Sequence, residues 1–310
     1  MKFSLTFFLS SLLLFMVSCS SIPNQNKNKN NLNINLAIQT SNKNKELIIE
    51  SLFENNIKFA VNFDERGSYV LHDNLADSKM KYFCNSHLQD ERNLIESSVF
   101  KSNQTNNVLV VYSAQYANYV KNLKEKHPDE LFLSIDASNY KDKIKEILNV
   151  IASLNKFSIV NKIDRSIKIE HEPRVRKDIS KIYFITNYEL GKTLVPTFRS
   201  YSINMDLYST SEIFYDASDL KKLADFEDSF IPVSNKYINK IGANDASNIK
   251  IKIEKILIED FLTIENVFQN NLFEENYELN TGNSKIKRNN CVKRNLYLWK
   301  VSTNNIINQT

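Results

Sequence analysis

The chain has 310 residues, 42% of them apolar, enough for one large domain or two smaller lobes with a real core. Its 40 basic side chains face 36 acidic ones, and the resulting formal charge of +4 comes without a basic stripe interleaved with aromatics, which argues against nucleic-acid binding. Only 4 glycines and 5 prolines occur, and no G-x-G-x-x-G run follows a strand, so a dinucleotide site is excluded.

The first element is a leader. Lys2 supplies a positive end, Phe3 to Val17 is almost continuously apolar, and Met16-Val17-Ser18-Cys19 closes it. The run falls short of the roughly 20 residues that span hydrocarbon and sits where a signal peptide belongs. Its end resembles the bacterial lipobox, which implies acylation of Cys19 and removal of residues 1–18. An ordinary secretory leader with a chance cysteine is the alternative. Several acyl chains on one cysteine anchor a protein stably without a transmembrane helix. Ser20, by resemblance to lipoprotein sorting rules, favours the inner leaflet of the outer membrane. Residues 20–33 (SSIPNQNKNKNNLN) have no periodicity and read as a disordered tether. Fully stretched, it reaches about 45–50 Å.

Beyond the tether, Ile34 to Ile38 reads as a strand, Asn44 to Asn55 as a helix, and Ile57 to Phe63 as a buried strand. Lys81 to Cys84 reads as a short strand and Leu88 to Phe100 as a helix. Asn107 to Ser113 (NVLVVYS) carries four consecutive apolar residues and leads into a helix from Gln115 to Lys126. Leu131 to Asp136 repeats the pattern before a helix from Tyr140 to Leu154. A charged stretch, Glu170 to Asp178, then turns abruptly into the apolar run Ile179 to Ile185, followed by a helix from Tyr188 to Ser200 and a strand from Met205 to Ser209. Strand, helix, strand is the unit of a parallel sheet. Asp216 to Ala224 reads as a helix or turn, Ser229 to Val233 as a strand, and Tyr237 to Ile241, Ala246 to Ile258 and Phe261 to Leu272 as helices. Tyr277 to Lys300, with turn signals at Gly282 and Asn289-Asn290, reads as two antiparallel edge strands before a tail at 301–310.

In this order the segments resemble the LppC/LpoA family of outer-membrane lipoproteins, the penicillin-binding protein activators. Glu172-Pro173-Arg174, Arg176 and Asp178 are similar to that family's EPRRRQD segment. Leu207-Tyr208-Ser209-Thr210-Ser211, with Phe214 and Tyr215 near the closing aromatic, is similar to its PVYATS..Y pattern. Val108 to Val111 resembles its LVLAP strand, Phe83 with Asp90-Glu91 its F.L..EDEA stretch, Ile241-Gly242 with Asp245-Ala246 its LG.DAY helix, and Thr281-Gly282 with Arg294 and Trp299 its TG.L…R.L.WA close. The resemblance implies an α/β fold of the type I periplasmic-binding-protein kind: two Rossmann-like lobes with parallel sheets, the first truncated. The expected division is 34–107 for the first lobe, 108–215 for the second and 216–300 for returning segments. The implied role is activation of a class A penicillin-binding protein, a bifunctional peptidoglycan synthase. Two departures stand out. The helical repeat domain of larger family members is missing, and the first lobe is incomplete, since few residues precede the Ile57 strand; a tether of about 50 Å is then short for reaching a synthase on the inner membrane.

Candidate site residues follow from these segments. Glu172, Arg174, Arg176 and Asp178 form either a partner surface or an ion-paired cluster at the lobe junction. Tyr208, Ser209, Ser211 and Tyr215 are placed at an interlobe cleft, because ligands favour the carboxyl ends of parallel strands, with core packing as the alternative for the tyrosines. Gly242, Gly282, Arg294 and Trp299 read as structural. No catalytic group is assigned: His171 stands alone in a charged loop, no G-x-S-x-G occurs, and Ser153-Leu154-Asn155-Lys156 lacks the KTG and SDN partners of a penicillin-binding enzyme. No cofactor, metal or small ligand is identified, and a solute-binding or sensing lipoprotein is the second reading. Cys84 and Cys291 lie far apart and read as two separately buried thiols, a disulfide being the alternative that geometry decides.

Overall fold

The computed structural model describes residues 32–54, 59–67, 69–100, 107–163, 170–201, 204–217, 220–233, 238–239, 248–271, 276–287 and 291–302. Cys19, residues 20–31 of the tether, Gly242 and most of the 237–241 helix expected from sequence lie outside them, while Leu32 and Asn33, expected in the tether, begin the first strand.

The first lobe opens with one extended run bent at Ala37: β1 (Leu32–Leu36) and β2 (Ile38–Thr40). After α1 (Asn42–Glu54), β3 (Phe59–Phe63) pairs in parallel with β1, and β4 (Tyr69–Leu71) with β2. Alternation sets the faces: Ile34, Leu36 and Ile38 are buried, whereas Asn35 is exposed and accepts from the Asn62 amide at 3.2 Å. Between β3 and β4 the Asp64 carboxylate accepts from Arg66 N at 2.9 Å, and Gly67 sits hard against the Ala37 carbonyl. A Cβ there would come within 2.1 Å of Ala37 carbon, so only glycine fits.

The second lobe begins with α2 (His87–Val99), capped by Ser86, whose Oγ accepts from Gln89 N. Its sheet takes β5 (Asn107–Tyr112), β6 (Leu131–Ser134), β7 (Ile179–Ile185), β8 (Asp206–Ser209), β9 (Ser229–Ile231) and β13 (Trp299–Lys300) in the order β13-β9-β8-β7-β5-β6. The first five strands in sequence run parallel and β13 is antiparallel to β9. This is the doubly wound order in which the first strand lies between the second and third. α3 (Ala117–Lys126), α4 (Tyr140–Ile147), α5 (Val150–Ile163) and α6 (Tyr188–Tyr201) connect the strands. The short α7 (Glu212–Asp216) follows β8.

The chain then returns to the first lobe. α8 (Ile249–Gln269) packs on α1 and reaches α7, and β10 (Tyr277–Leu279), β11 (Gly282–Ile286) and β12 (Val292–Asn295) form an antiparallel sheet. One apolar core runs through both lobes, from Ile34 and Leu52 through Leu257, Ile253 and Phe214 to Phe184 and Ile231. A second cluster, Ile95, Val99, Val108, Val110, Tyr183 and Tyr208, fills the other face of the larger sheet.

Several expectations are corrected. The helix expected over 140–154 is two helices, because Asn149 adopts φ 65° and turns the chain after Leu148. The helices expected at 246–258 and 261–272 are the single α8, since Asp260 is bound by Asn280 and Thr281 and does not stop the helix. The closing segment forms three strands and a fourth at the sheet edge, and 81–84 contributes only a bridge between Phe83 and Val292. The lobe boundary does not fall at Val108: α2 packs into the second lobe's core, and β9 and β13 belong to its sheet. Cys84 and Cys291 are a disulfide with Cα atoms 5.0 Å apart, because the Phe83–Val292 bridge lays the two segments side by side.

Candidate functional site: the interlobe cleft

A cavity of about 310 Å³ opens between the lobes. The second lobe lines it with Arg92 on α2, Tyr116 in the turn after β5, and Glu212, Tyr215 and Asp216 in the segment after β8. The first lobe supplies Asn74 and Asp77 after β4 and Lys250, Ile253 and Glu254 on α8. The second-lobe residues lie beyond the carboxyl ends of parallel strands, where the strands stop and backbone groups and side chains converge.

The charges are mutually organised. Arg92 Nη2 lies 2.6 Å from Glu212 Oε1, and its guanidinium stacks over the Tyr119 ring at 4.6 Å. Burial opposes the charge on Arg92, but Glu212 more than offsets it and the guanidinium stays protonated. Tyr116 is pushed up to about 12 by burial and by the Glu212 carboxylate, so it remains a neutral donor. Partial desolvation at the cleft also raises the Asp216 pKa, although the residue stays largely open to solvent, with Lys250 acting in the opposite direction. Glu254 is buried and pairs with Lys43 at 3.0 Å.

Behind this lining lies a buried carboxylate. Glu91 accepts from Ser211 Oγ at 2.6 Å and from the Tyr215 hydroxyl at 2.5 Å, and His87 Nε2 lies 3.1 Å away. The i, i+4 spacing places His87 and Glu91 on one face of α2. The Glu91 carboxylate thereby fixes the segment carrying Glu212 and Asp216 to α2.

Of the residues expected at a cleft, Ser211 and Tyr215 meet at Glu91, and Tyr215 also lines the cavity. Tyr208 does not reach it: β8 turns that ring to the opposite face of the sheet, where it stacks on Phe230 with centroids 5.2 Å apart. Ser209 is fully buried. Glu172, Arg174, Arg176 and Asp178 precede β7, at the end of the sheet away from the cavity, which corrects their placement at the lobe junction. Arg176 pairs with Asp178 through contacts of 2.9 and 2.5 Å, and Arg174 N donates to Ser153 Oγ, while the Glu172 and Arg174 side chains face solvent. Gly282 has φ 137°, and a Cβ there would lie 2.8 Å from the Asn295 carbonyl oxygen. Trp299 is buried opposite Ile231. Arg294 is buried against Asp90 at 3.2 Å, with the Phe83 ring 3.8 Å from its guanidinium carbon. Arg92, Tyr116, Glu212, Asp216 and Lys250 carried no motif; all but Arg92, which lies in the middle of α2, stand at or beside helix ends, the one signal that could have marked them.

No family model and no curated protein matches the chain. Among solved structures, full-length LpoA from Haemophilus influenzae is similar over 89% of this chain and 58% of its own length, with 12% identity and a TM-score of 0.52. A putative branched-chain amino acid ABC transporter from Rhodospirillum rubrum is similar over 88% of this chain and 98% of its own, with 10% identity and a TM-score of 0.51. The chain thus spans little more than half of that LpoA chain's length. At these identities the likeness concerns the fold, and it shows an α/β architecture like that of type I periplasmic binding proteins.

Proposed function

We propose that this chain is a lipid-anchored outer-membrane protein, not itself an enzyme, that regulates peptidoglycan synthesis by activating a class A penicillin-binding protein. One observation carries the choice over the same fold's other use: the apolar core is continuous from one lobe into the other, with Phe214 of α7 and Ile253 and Leu257 of α8 within it. A binding protein that opens and closes around a solute exposes the surface between its lobes at each cycle. Exposing part of this core would be opposed at about 25 cal/mol per Å² of apolar surface. A body held at one interlobe angle suits a protein that presents a preformed surface and favours one conformation of its partner. The fold shared with LpoA and the collinear motif resemblance support the same reading. The exposed Glu172 and Arg174 are the contact surface this reading favours.

The test is co-purification of the intact chain with the class A synthase of its own cell, followed by glycan polymerisation and crosslinking with and without the chain. Binding at micromolar concentration with a raised rate is expected, and Arg174→Glu weakens both. No binding and no rate change would remove the proposal. The cavity of about 310 Å³ favours solute binding as a second reading. Saturable thermal stabilisation by a small solute, lost in Arg92→Met, would establish that reading.

A further inference from the structure

The two lobes are joined where residues 82–85 and 291–295 run side by side. Cys84 N donates to the Val292 carbonyl at 3.0 Å, and Val292 N donates to the Tyr82 carbonyl at 2.7 Å. Arg294, two residues further, donates to Asn85 O at 3.3 Å and to Asp90 Oδ2 at 3.2 Å. The Cys84–Cys291 disulfide crosslinks these same two crossing segments, which lie 207 residues apart in sequence. Nearly all of the second lobe is threaded between them. The bond therefore fixes how the outgoing and returning segments lie against each other, and through them the angle between the lobes.

Accessibility sets the bond apart from its surroundings. Phe83 is 1% exposed and Val292 0%, whereas Cys84 and Cys291 are both partly open to solvent. The two cysteines thus lie nearer to solvent than Phe83 and Val292 beside them. What remains after cleavage is substantial: the two backbone hydrogen bonds, the Arg294–Asp90 pair and the Phe83 ring beneath Arg294 do not depend on the sulfur atoms. The six-stranded sheet contains neither cysteine.

We propose that the Cys84–Cys291 disulfide is a redox-controlled latch on the interlobe angle, opened by a thioredoxin-fold dithiol protein. One thiolate of that protein attacks a sulfur of the pair, the Cys84–Cys291 bond breaks, and a mixed disulfide forms while the other cysteine leaves as thiolate and takes up a proton. The reductant's second thiolate then attacks its own sulfur in the mixed disulfide and releases the remaining cysteine, which is protonated in turn. Two electrons pass to this chain, and the reductant leaves oxidised. The reduced hinge keeps its polar contacts but loses its covalent limit, so the lobes fluctuate more widely about the angle that the shared apolar core favours, and the cleft between Arg92 and Lys250 loosens. The latch does not rest on the activator reading.

The experiment treats the intact, folded chain with dithiothreitol and separately with a thioredoxin-type protein, counting newly reactive thiols and following amide exchange. Two new thiols are expected, with exchange at 82–84 and 292–295 at least tenfold faster and exchange in β5 and β7 unchanged. The Cys84→Ser/Cys291→Ser double variant shows the same faster exchange without any reductant. The proposal is overturned if the bond yields only together with β5 and β7, which makes it a global staple. It is equally overturned if the bond is cut, or absent in the double variant, and the hinge amides exchange as before.

Discussion

Arg294 and Asp90 form a buried ion pair, 3.2 Å apart, that joins β12 of the first lobe to the opening helix of the second. Burial lowers the Arg294 pKa from its ordinary value, and the neighbouring Asp90 and Asp260 carboxylates work against that. Truncating one partner leaves the other charge buried and alone. Arg294→Met is therefore expected to lower unfolding stability by about 3–5 kcal/mol. Asp90→Asn in the same chain removes the stranded carboxylate and recovers part of that loss, so a double-mutant cycle by urea unfolding returns a favourable coupling between the two positions.

Glu91 gathers Ser211, Tyr215 and His87 at one carboxylate. Hydrogen bonds to a charged acceptor contribute about 1.5–3 kcal/mol, and Glu91→Gln keeps the shape while removing the charge. A loss in that range is expected by chemical denaturation, together with faster amide exchange in the 211–216 segment. An unchanged midpoint would mean that packing alone holds the segment against α2.

Asp216 gives a pH signature. Its folded pKa lies above the ordinary carboxylate value, chiefly through partial desolvation at the cleft, and because the residue is largely exposed the effect on stability is small. A raised folded pKa contributes stability that is complete below the unfolded value, near 3.8, and is lost as pH rises through the folded one. Asp216→Asn removes that loss. Its unfolding midpoint is therefore expected to exceed that of the parent chain at pH 7 and to match it at pH 3. A lower midpoint at pH 7 would show that the attraction to Lys250 outweighs the cost of burial.

Lys181 is 4% exposed in the middle of β7, and its ammonium donates to the carbonyls of Ser98 at 2.7 Å and Val99 at 3.1 Å. Those oxygens end α2, so a cation there also meets the negative end of the helix. Lys181→Met preserves apolar bulk but leaves both carbonyls without this donor. The expected cost is about 1–3 kcal/mol, read by thermal or urea unfolding, with fraying confined to the last turn of α2.

The central sheet was legible because its strands are continuous apolar runs. Val108 to Val111 and Ile182 to Ile185 are buried on both faces, and a doubly covered parallel strand imprints that pattern on sequence. The interruptions were not legible. Asn149 resembles any helical asparagine until its positive φ is seen, and Asp260 resembles a stop signal until Thr281 is found bonded to it. β4 escaped notice because only three residues of it pair. The cleft was partly visible: Ser211 and Tyr215 belong to a recognisable pattern, whereas Arg92 and Lys250 are surface-type residues on helices whose role appears only when two distant segments face each other. Tyr208 was misplaced by a simple parity: neighbours in a strand point to opposite faces, and β8 turns that ring away from the cavity. The cysteine pairing depended on a bridge between Phe83 and Val292 that no local pattern announces.

The position of β13 also governs how the molecule can be made. Residues 299 and 300 are the last to join the second lobe's sheet, and they do so beside β9, which leaves the ribosome about 70 residues earlier. The first lobe waits as well, since α1 needs α8 from some 200 residues downstream to cover it. Neither half can complete its packing before these late segments emerge, so the two distant ends of the chain are tied into one folding event.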